Sequence, residues 1–254
     1  MCYSDDARPP IPPGTQGGVR AQGELTLRAA DGNQFMAYFA RAAQPSGAGM
    51  VILPDVRGLH AFYKELARRF ADAGLDAVAL DYFGRTAGIG DRGESFQFRP
   101  HVDKTTPAGI DADVSATIAY LRSADGGAVH RVFTVGFCFG GANSWRQSAS
   151  QPGLAGAIGF YGQPARVRDY IPQMRAPLLL LVAGADFTPL EEFQRFDREL
   201  QQAGVPHRMV VYEGAPHSFF DRTFNEHREA CEDAWRQILA FVREHSPVAG
   251  AARR

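Results

Sequence analysis

Residues 136–141 read "GFCFGG" and set Cys138 among glycines at the end of the apolar run "RVFTVGF". A thiol held on a sharp strand-to-helix turn is a candidate nucleophile, because a helix N-terminus and a basic partner both favour its anion. Such a turn forces the residues two before and two after it close together, and Gly136 and Gly140 meet that need. Gly141 then lets the following helix pack closely. The six residues fit equally a buried cysteine in a Gly-rich turn, so the partners of Cys138 decide between the two.

A cysteine hydrolase needs a general base and a group that orients it, and on α/β sheets the acid and then the histidine follow the nucleophile. The histidines after Cys138 are His207, His217, His227 and His245. His207 starts a strand, and His227 and His245 sit on a polar-faced C-terminal helix. His217 lies in "EGAPHSFF", just past the strand "HRMVVYEG", where an open sheet places its site. Asp186 ends "PLLLLVAGAD" in the same way; its bland use is to cap the helix that begins near Pro189. The expected oxyanion donors are the backbone N–H groups of Phe139 and of Val56, in "LPDVRG". Asp55 either faces the thiol from that strand end or holds the turn before Gly58.

The elements that must position these residues follow from the pattern. The chain has 254 residues, 45% of them hydrophobic and 22% charged, with a net charge of −1. This is the balance of a globule with a sizeable core, and without a basic run a nucleic-acid partner is not expected. The start "MCYSDDARPPIPPG" lacks the basic and apolar regions of an export signal, and "PLLLLVAGA" is far short of the ~18 apolar residues of a membrane span. A cytoplasmic protein without membrane association is expected. Three cysteines, Cys2, Cys138 and Cys231, fit neither a disulfide framework nor a zinc site.

Residues 1–22 carry prolines and glycines without period and read as an extended or poorly ordered arm. One domain is expected over 23–245, with a tail at 246–254. It opens with a hairpin turning at Asp31-Gly32. Strands are then expected at "GMVILPD", "DAVALDY", "RVFTVGF", "AGAIGFYG", "APLLLLVAG" and "HRMVVYEG". They alternate with helices near 62–73, 109–123, 140–150, 189–203 and 226–244, which predicts an open, mostly parallel, doubly wound α/β sheet. Residues 83–108 show no period and are expected to form a lid or substrate wall.

With "LPDVRGL", "DAVALDYFGR", "GFCFGGA", "VAGAD" and "GAPHSF" in that order, residues 24–243 resemble the dienelactone hydrolase family of α/β-hydrolases. The resemblance implies the α/β-hydrolase fold, a Cys-His-Asp triad on Cys138, His217 and Asp186, and hydrolysis of a small ester or lactone with no metal or organic cofactor. It also implies a carboxylated substrate, because the carboxymethylenebutenolidases of that family hold one with arginines, one in the middle loop and one four residues after the histidine. Here Arg85, Arg92 and Arg99 compete for the loop role, while the fourth residue is Asp221 and the arginine is Arg222. Where those enzymes carry a glutamate that pairs with the resting thiol, this chain has Asp55, one methylene shorter. Arg57 adds a cation beside the expected oxyanion hole, and Tyr161 is a candidate wall. The alternatives are a general esterase or thioesterase without lactone preference, and a ligand-binding or acyl-transfer use of the scaffold. A monomer or small homo-oligomer is expected.

Overall fold

Strands covered on both faces carry unbroken apolar runs, and Met50–Leu53, Val132–Phe137 and Leu178–Ala183 are buried throughout. In a computed structural model of the chain, which describes residues 3, 4, 6–14, 17–221 and 225–246, these runs form the middle of one eight-stranded sheet. Its strands are β1 (Val19–Arg28), β2 (Gln34–Ala42), β3 (Ala48–Leu53), β4 (Asp76–Leu80), β5 (Arg131–Phe137), β6 (Gly156–Phe160), β7 (Leu178–Ala185) and β8 (His207–Pro216), in the order β1-β2-β4-β3-β5-β6-β7-β8. β2 pairs antiparallel with β1 and β4, and every later pairing is parallel. The strand order reverses at β3, which lies between β4 and β5, so a crevice forms at the carboxyl ends of β3 and β5.

The helices are α1 (Ala61–Asp72), α2 (Gly84–Ala87), α3 (Arg99–Val102), α4 (Pro107–Arg122), α5 (Phe139–Ser150), α6 (Leu190–Gln202) and α7 (Arg228–Glu244). Strand side chains alternate between two cores. Met50, Ile52, Val135 and Leu181 meet Phe62, Leu66 and Phe70 of α1 and Trp235, Ile238 and Phe241 of α7. Val51, Leu53, Leu178 and Leu180 meet Ile110 and Val114 of α4, Trp145 of α5 and Phe193 and Phe196 of α6. Burying each such Leu, Ile or Phe contributes roughly 1.5–3 kcal/mol. The sheet is doubly wound, as its pattern predicts. No helix among the described residues is long and apolar enough to cross a membrane.

Four details differ from expectation. Only Gly32 of the Asp-Gly pair has positive φ (89°); the turn is wider than a two-residue loop and closes through Ala29 N–H donating to the Asn33 carbonyl, the pattern of a bulged hairpin. β1 begins at Val19, before the expected boundary at residue 23. The described part of the Pro-rich arm lies on the body, with Tyr3 and Ala7 buried. Residues 83–108 contain the short helices α2 and α3 and are pinned by an aromatic stack of Phe96 on His101 at 5.1 Å.

An anchor of that segment is Arg92, which is 4% exposed, donates Nε to Asp81 Oδ2 at 3.1 Å and Nη2 to the Gly88 carbonyl at 2.6 Å, and holds Nη2 3.0 Å from the same Asp81 oxygen. Burial pushes the Asp81 carboxyl up, and the charge of Arg92 and its hydrogen bond work against that push. Removing the cation strands a buried carboxylate, so Arg92→Leu is expected to cost about 3 kcal/mol of stability. Adding Asp81→Asn is expected to return part of it, read from urea midpoints; a single variant as stable as the parent would refute the pairing.

Candidate active site

β5 ends at Phe137 and α5 begins at Phe139, so Cys138 alone makes the turn, at φ 56° and ψ −115°. Its N–H donates to the Phe160 carbonyl at 3.1 Å, and its carbonyl accepts from Gly141 and Ala142, starting the helix. The turn closes because its flanks have no side chains. A Cβ on Gly136 would lie 1.9 Å from the Gly140 carbonyl oxygen, and one on Gly140 would lie 2.1 Å from that of Leu53. The N–H of Phe139, the first helical residue, has no partner within the helix. Cys138 is partly buried and packs against the core that α1 and α7 share. Cys231 differs: it is buried, its thiol donates to the Phe219 carbonyl at 3.1 Å, and burial pushes that thiol up to about 12.

β7 delivers Asp186 and β8 delivers His217 to the same edge of the sheet. His217 Nδ1 donates to Asp186 Oδ2 at 2.7 Å, and the carboxylate is fully buried. An ionised carboxylate only accepts, so Nδ1 carries the ring proton and Nε2 is left as the basic nitrogen. Asp186 Oδ1 accepts from the Thr188 N–H at 3.1 Å, so this residue orders the approach to α6 while it orients the ring. The imidazole lies between Tyr161 at 4.7 Å and Phe187 at 4.4 Å. His207 is bound instead to Asp197 and the Val205 carbonyl, and His245 lies against Phe241 beyond α7.

Asp55 and Val56 leave β3 beside β5. Asp55 is fully buried; its Oδ1 accepts from the Arg57 N–H at 2.8 Å, which holds the turn to Gly58. Its Oδ2 is buried with no hydrogen-bond partner among the described residues. The Tyr82 phenol, which donates to the Pro54 carbonyl at 2.9 Å, stays protonated well above the usual range. Burial is the main cause, and the charges of Asp55, Asp81 and Cys138 add to it. Asp55 and Cys138 thus lie within electrostatic reach of one phenol. Val56 is half-buried against the second core.

The arginines separate. Arg92 is held by Asp81. Arg85 pairs with Asp31 and, at 2.8 Å, with Asp113. Arg57 is 4% exposed and donates to the Tyr3 carbonyl. Arg99 is exposed above the Phe98 ring, and Arg222 lies outside the described residues. Three neighbours were not anticipated. Phe187, 65% exposed on the His217 ring, directly follows Asp186. His60 is buried with Nε2 3.7 Å from Asp55 Oδ1, and a lone histidine at a helix start gave no signal of it. Arg166 lies 5.7 Å over the Phe139 ring beside a cleft that Asn143, Thr106 and Val167 help to line.

A mostly parallel sheet opened by an antiparallel strand pair, with a strained residue after β5, an acid after β7 and a histidine after β8, defines an α/β-hydrolase. Residues 35–246 match the Dienelactone hydrolase family, and the chain belongs to that family and is a hydrolase of that kind. It is 28% identical over 228 residues to the "Putative carboxymethylenebutenolidase" of Escherichia coli K12, covering 84% of each chain. It is 25% identical, over 85% of this chain and 91% of the other, to the "Probable 2-oxo-3-(5-oxofuran-2-ylidene)propanoate lactonase" of a Bradyrhizobium species. Among solved structures, the "Putative Dienelactone Hydrolase" of Klebsiella pneumoniae superposes with a TM-score of 0.74 at 27% identity, covering 88% of this chain and all of that one.

Proposed function

We propose that the chain hydrolyses small esters or lactones with Cys138 as nucleophile, His217 as general base and acid, and Asp186 as the group that orients the ring. The reading is carried by the 2.7 Å His217–Asp186 bond at the strand ends that follow an elbow held at positive φ. His217 Nε2 takes the proton of the Cys138 thiol, the resulting thiolate adds to the substrate carbonyl, and the N–H groups of Phe139 and Val56 receive the negative charge on its oxygen. His217 Nε2 then protonates the departing alkoxide and leaves a thioester on Sγ. Water deprotonated by the same nitrogen adds to the thioester, and the acid leaves as the thiolate returns. Asp55 prepares the resting thiol through its second carboxylate oxygen, the part that glutamate takes in the carboxymethylenebutenolidases.

For the substrate, the engagement of Arg85 and Arg92 with aspartates favours a second reading, a general esterase with no demand for a carboxylate. Arg166 is an exposed cation over the Phe139 ring, placed to meet an anionic substrate near the elbow. An aryl ester in excess, quenched into acid within milliseconds, is expected to leave one acyl group on the peptide that contains Cys138. Turnover without any acylated Cys138 would sink the mechanism. Rates on carboxylated lactones against neutral esters of equal size then choose between the two substrate readings.

A further inference from the structure

Tyr3, on the N-terminal segment, packs among the residues that flank Cys138. It is 2% exposed, and its ring lies flat on Phe62 at 4.0 Å and edge-on to Tyr63 at 6.4 Å. Its hydroxyl is hydrogen-bonded to the Tyr161 hydroxyl, and its carbonyl accepts from the Arg57 guanidinium. Tyr161 in turn faces His217, and the Arg57 N–H is bound to Asp55. One residue therefore joins the loop after β3 to the loop after β6, the two banks beside Cys138. Tyr3, Phe62 and Tyr161 all belong to the core cluster against which Cys138 packs.

The segment that carries Tyr3 is fixed farther along. Ala7 is fully buried, and the Pro10 carbonyl accepts the Trp235 indole N–H at 3.0 Å. Its sequence, "RPPIPP" from Arg8, loses little backbone freedom on docking, because proline already restricts φ.

We propose that the N-terminal segment is a specificity element of this site, with Tyr3 as the wall that limits the size of the group delivered to Cys138. The proposal rests on Cys138 being the reacting thiol. A ring stacked on Phe62, edge-on to Tyr63 and bonded through its hydroxyl to Tyr161 cannot swing aside without losing all three contacts. A wall of this kind discriminates by shape, and each excess methylene it rejects is worth about 10-fold or more in rate.

The test reads access to the sulfur, not turnover, so its failure is distinct from failure of the triad. In the full-length chain, alkylation of Cys138 by iodoacetamide and by N-benzyliodoacetamide is followed by peptide mass spectrometry, which separates Cys138 from Cys2 and Cys231. Tyr3→Ala is expected to raise the bulky-to-small rate ratio about 10-fold, with Tyr3→Phe, which keeps the ring, within twofold of the parent. Tyr3→Leu supplies the same readout if the alanine variant does not fold. An unchanged ratio in Tyr3→Ala, or in Tyr3→Leu where that variant replaces it, or an equal rise in Tyr3→Phe, overturns the proposal.

Discussion

Cys138→Ala is expected to lower kcat/KM for aryl esters and lactones by about 10⁴-fold or more while leaving a folded protein. Without the sulfur no thioester forms, and what remains is the weak rate enhancement of binding and oxyanion donors alone. The same position holds strain: a residue with a Cβ at φ 56° costs on the order of 1–3 kcal/mol. Cys138→Gly is therefore expected to be as inactive as the alanine variant but more stable than it by about 1 kcal/mol. Hydrolysis rates and thermal melts of the two variants check both halves. Wild-type turnover in either variant would remove Cys138 from the mechanism, and equal stability would remove the strain.

Gly140→Ala is expected to be strongly destabilising and to damage the site directly. The new Cβ would stand 2.1 Å from the Leu53 carbonyl oxygen and 2.2 Å from that of Pro54. Both are backbone atoms, so no side chain can rotate away, and either α5 or the end of β3 must move. A destabilisation of about 3 kcal/mol or more is expected, beyond the usual cost of one extra methyl in a core. The displaced strand end leads directly to Asp55 and Val56, so activity is expected to fall further than the folded fraction does. Urea midpoints and kcat/KM normalised to folded protein separate the two losses. Parent-like stability would show that the elbow is looser than its geometry.

What could be read in advance was whatever is local or periodic. Unbroken apolar runs marked β3, β5 and β7, because a strand covered on both faces admits few polar residues. The spacing of Gly136, Cys138 and Gly140 reported a tight turn, because only such a turn requires glycine on both sides. Asp186 and His217 were reached by their order at successive strand ends. The misses are long-range pairings. The spacing of Arg92 and Arg85 says nothing of Asp81 or Asp113, and a guanidinium looks the same whether it awaits a ligand or holds a carboxylate. The Pro-rich arm read as loose because its sequence has no period. Its docking depends on single contacts, such as Trp235 with a carbonyl 225 residues away. Asp55 was legible as a candidate, and its bond to the Arg57 N–H was the simpler role already foreseen for it.

The bond from Trp235 to Pro10 has a consequence for synthesis. Pro10 is made 225 residues before its partner, Trp235 on α7. During translation the segment bearing Tyr3 therefore waits without this anchor until α7 has emerged. The arm is thus made well before the helix that anchors it, and a chain cut short before α7 would lack the Trp235 bond that fixes the segment bearing Tyr3.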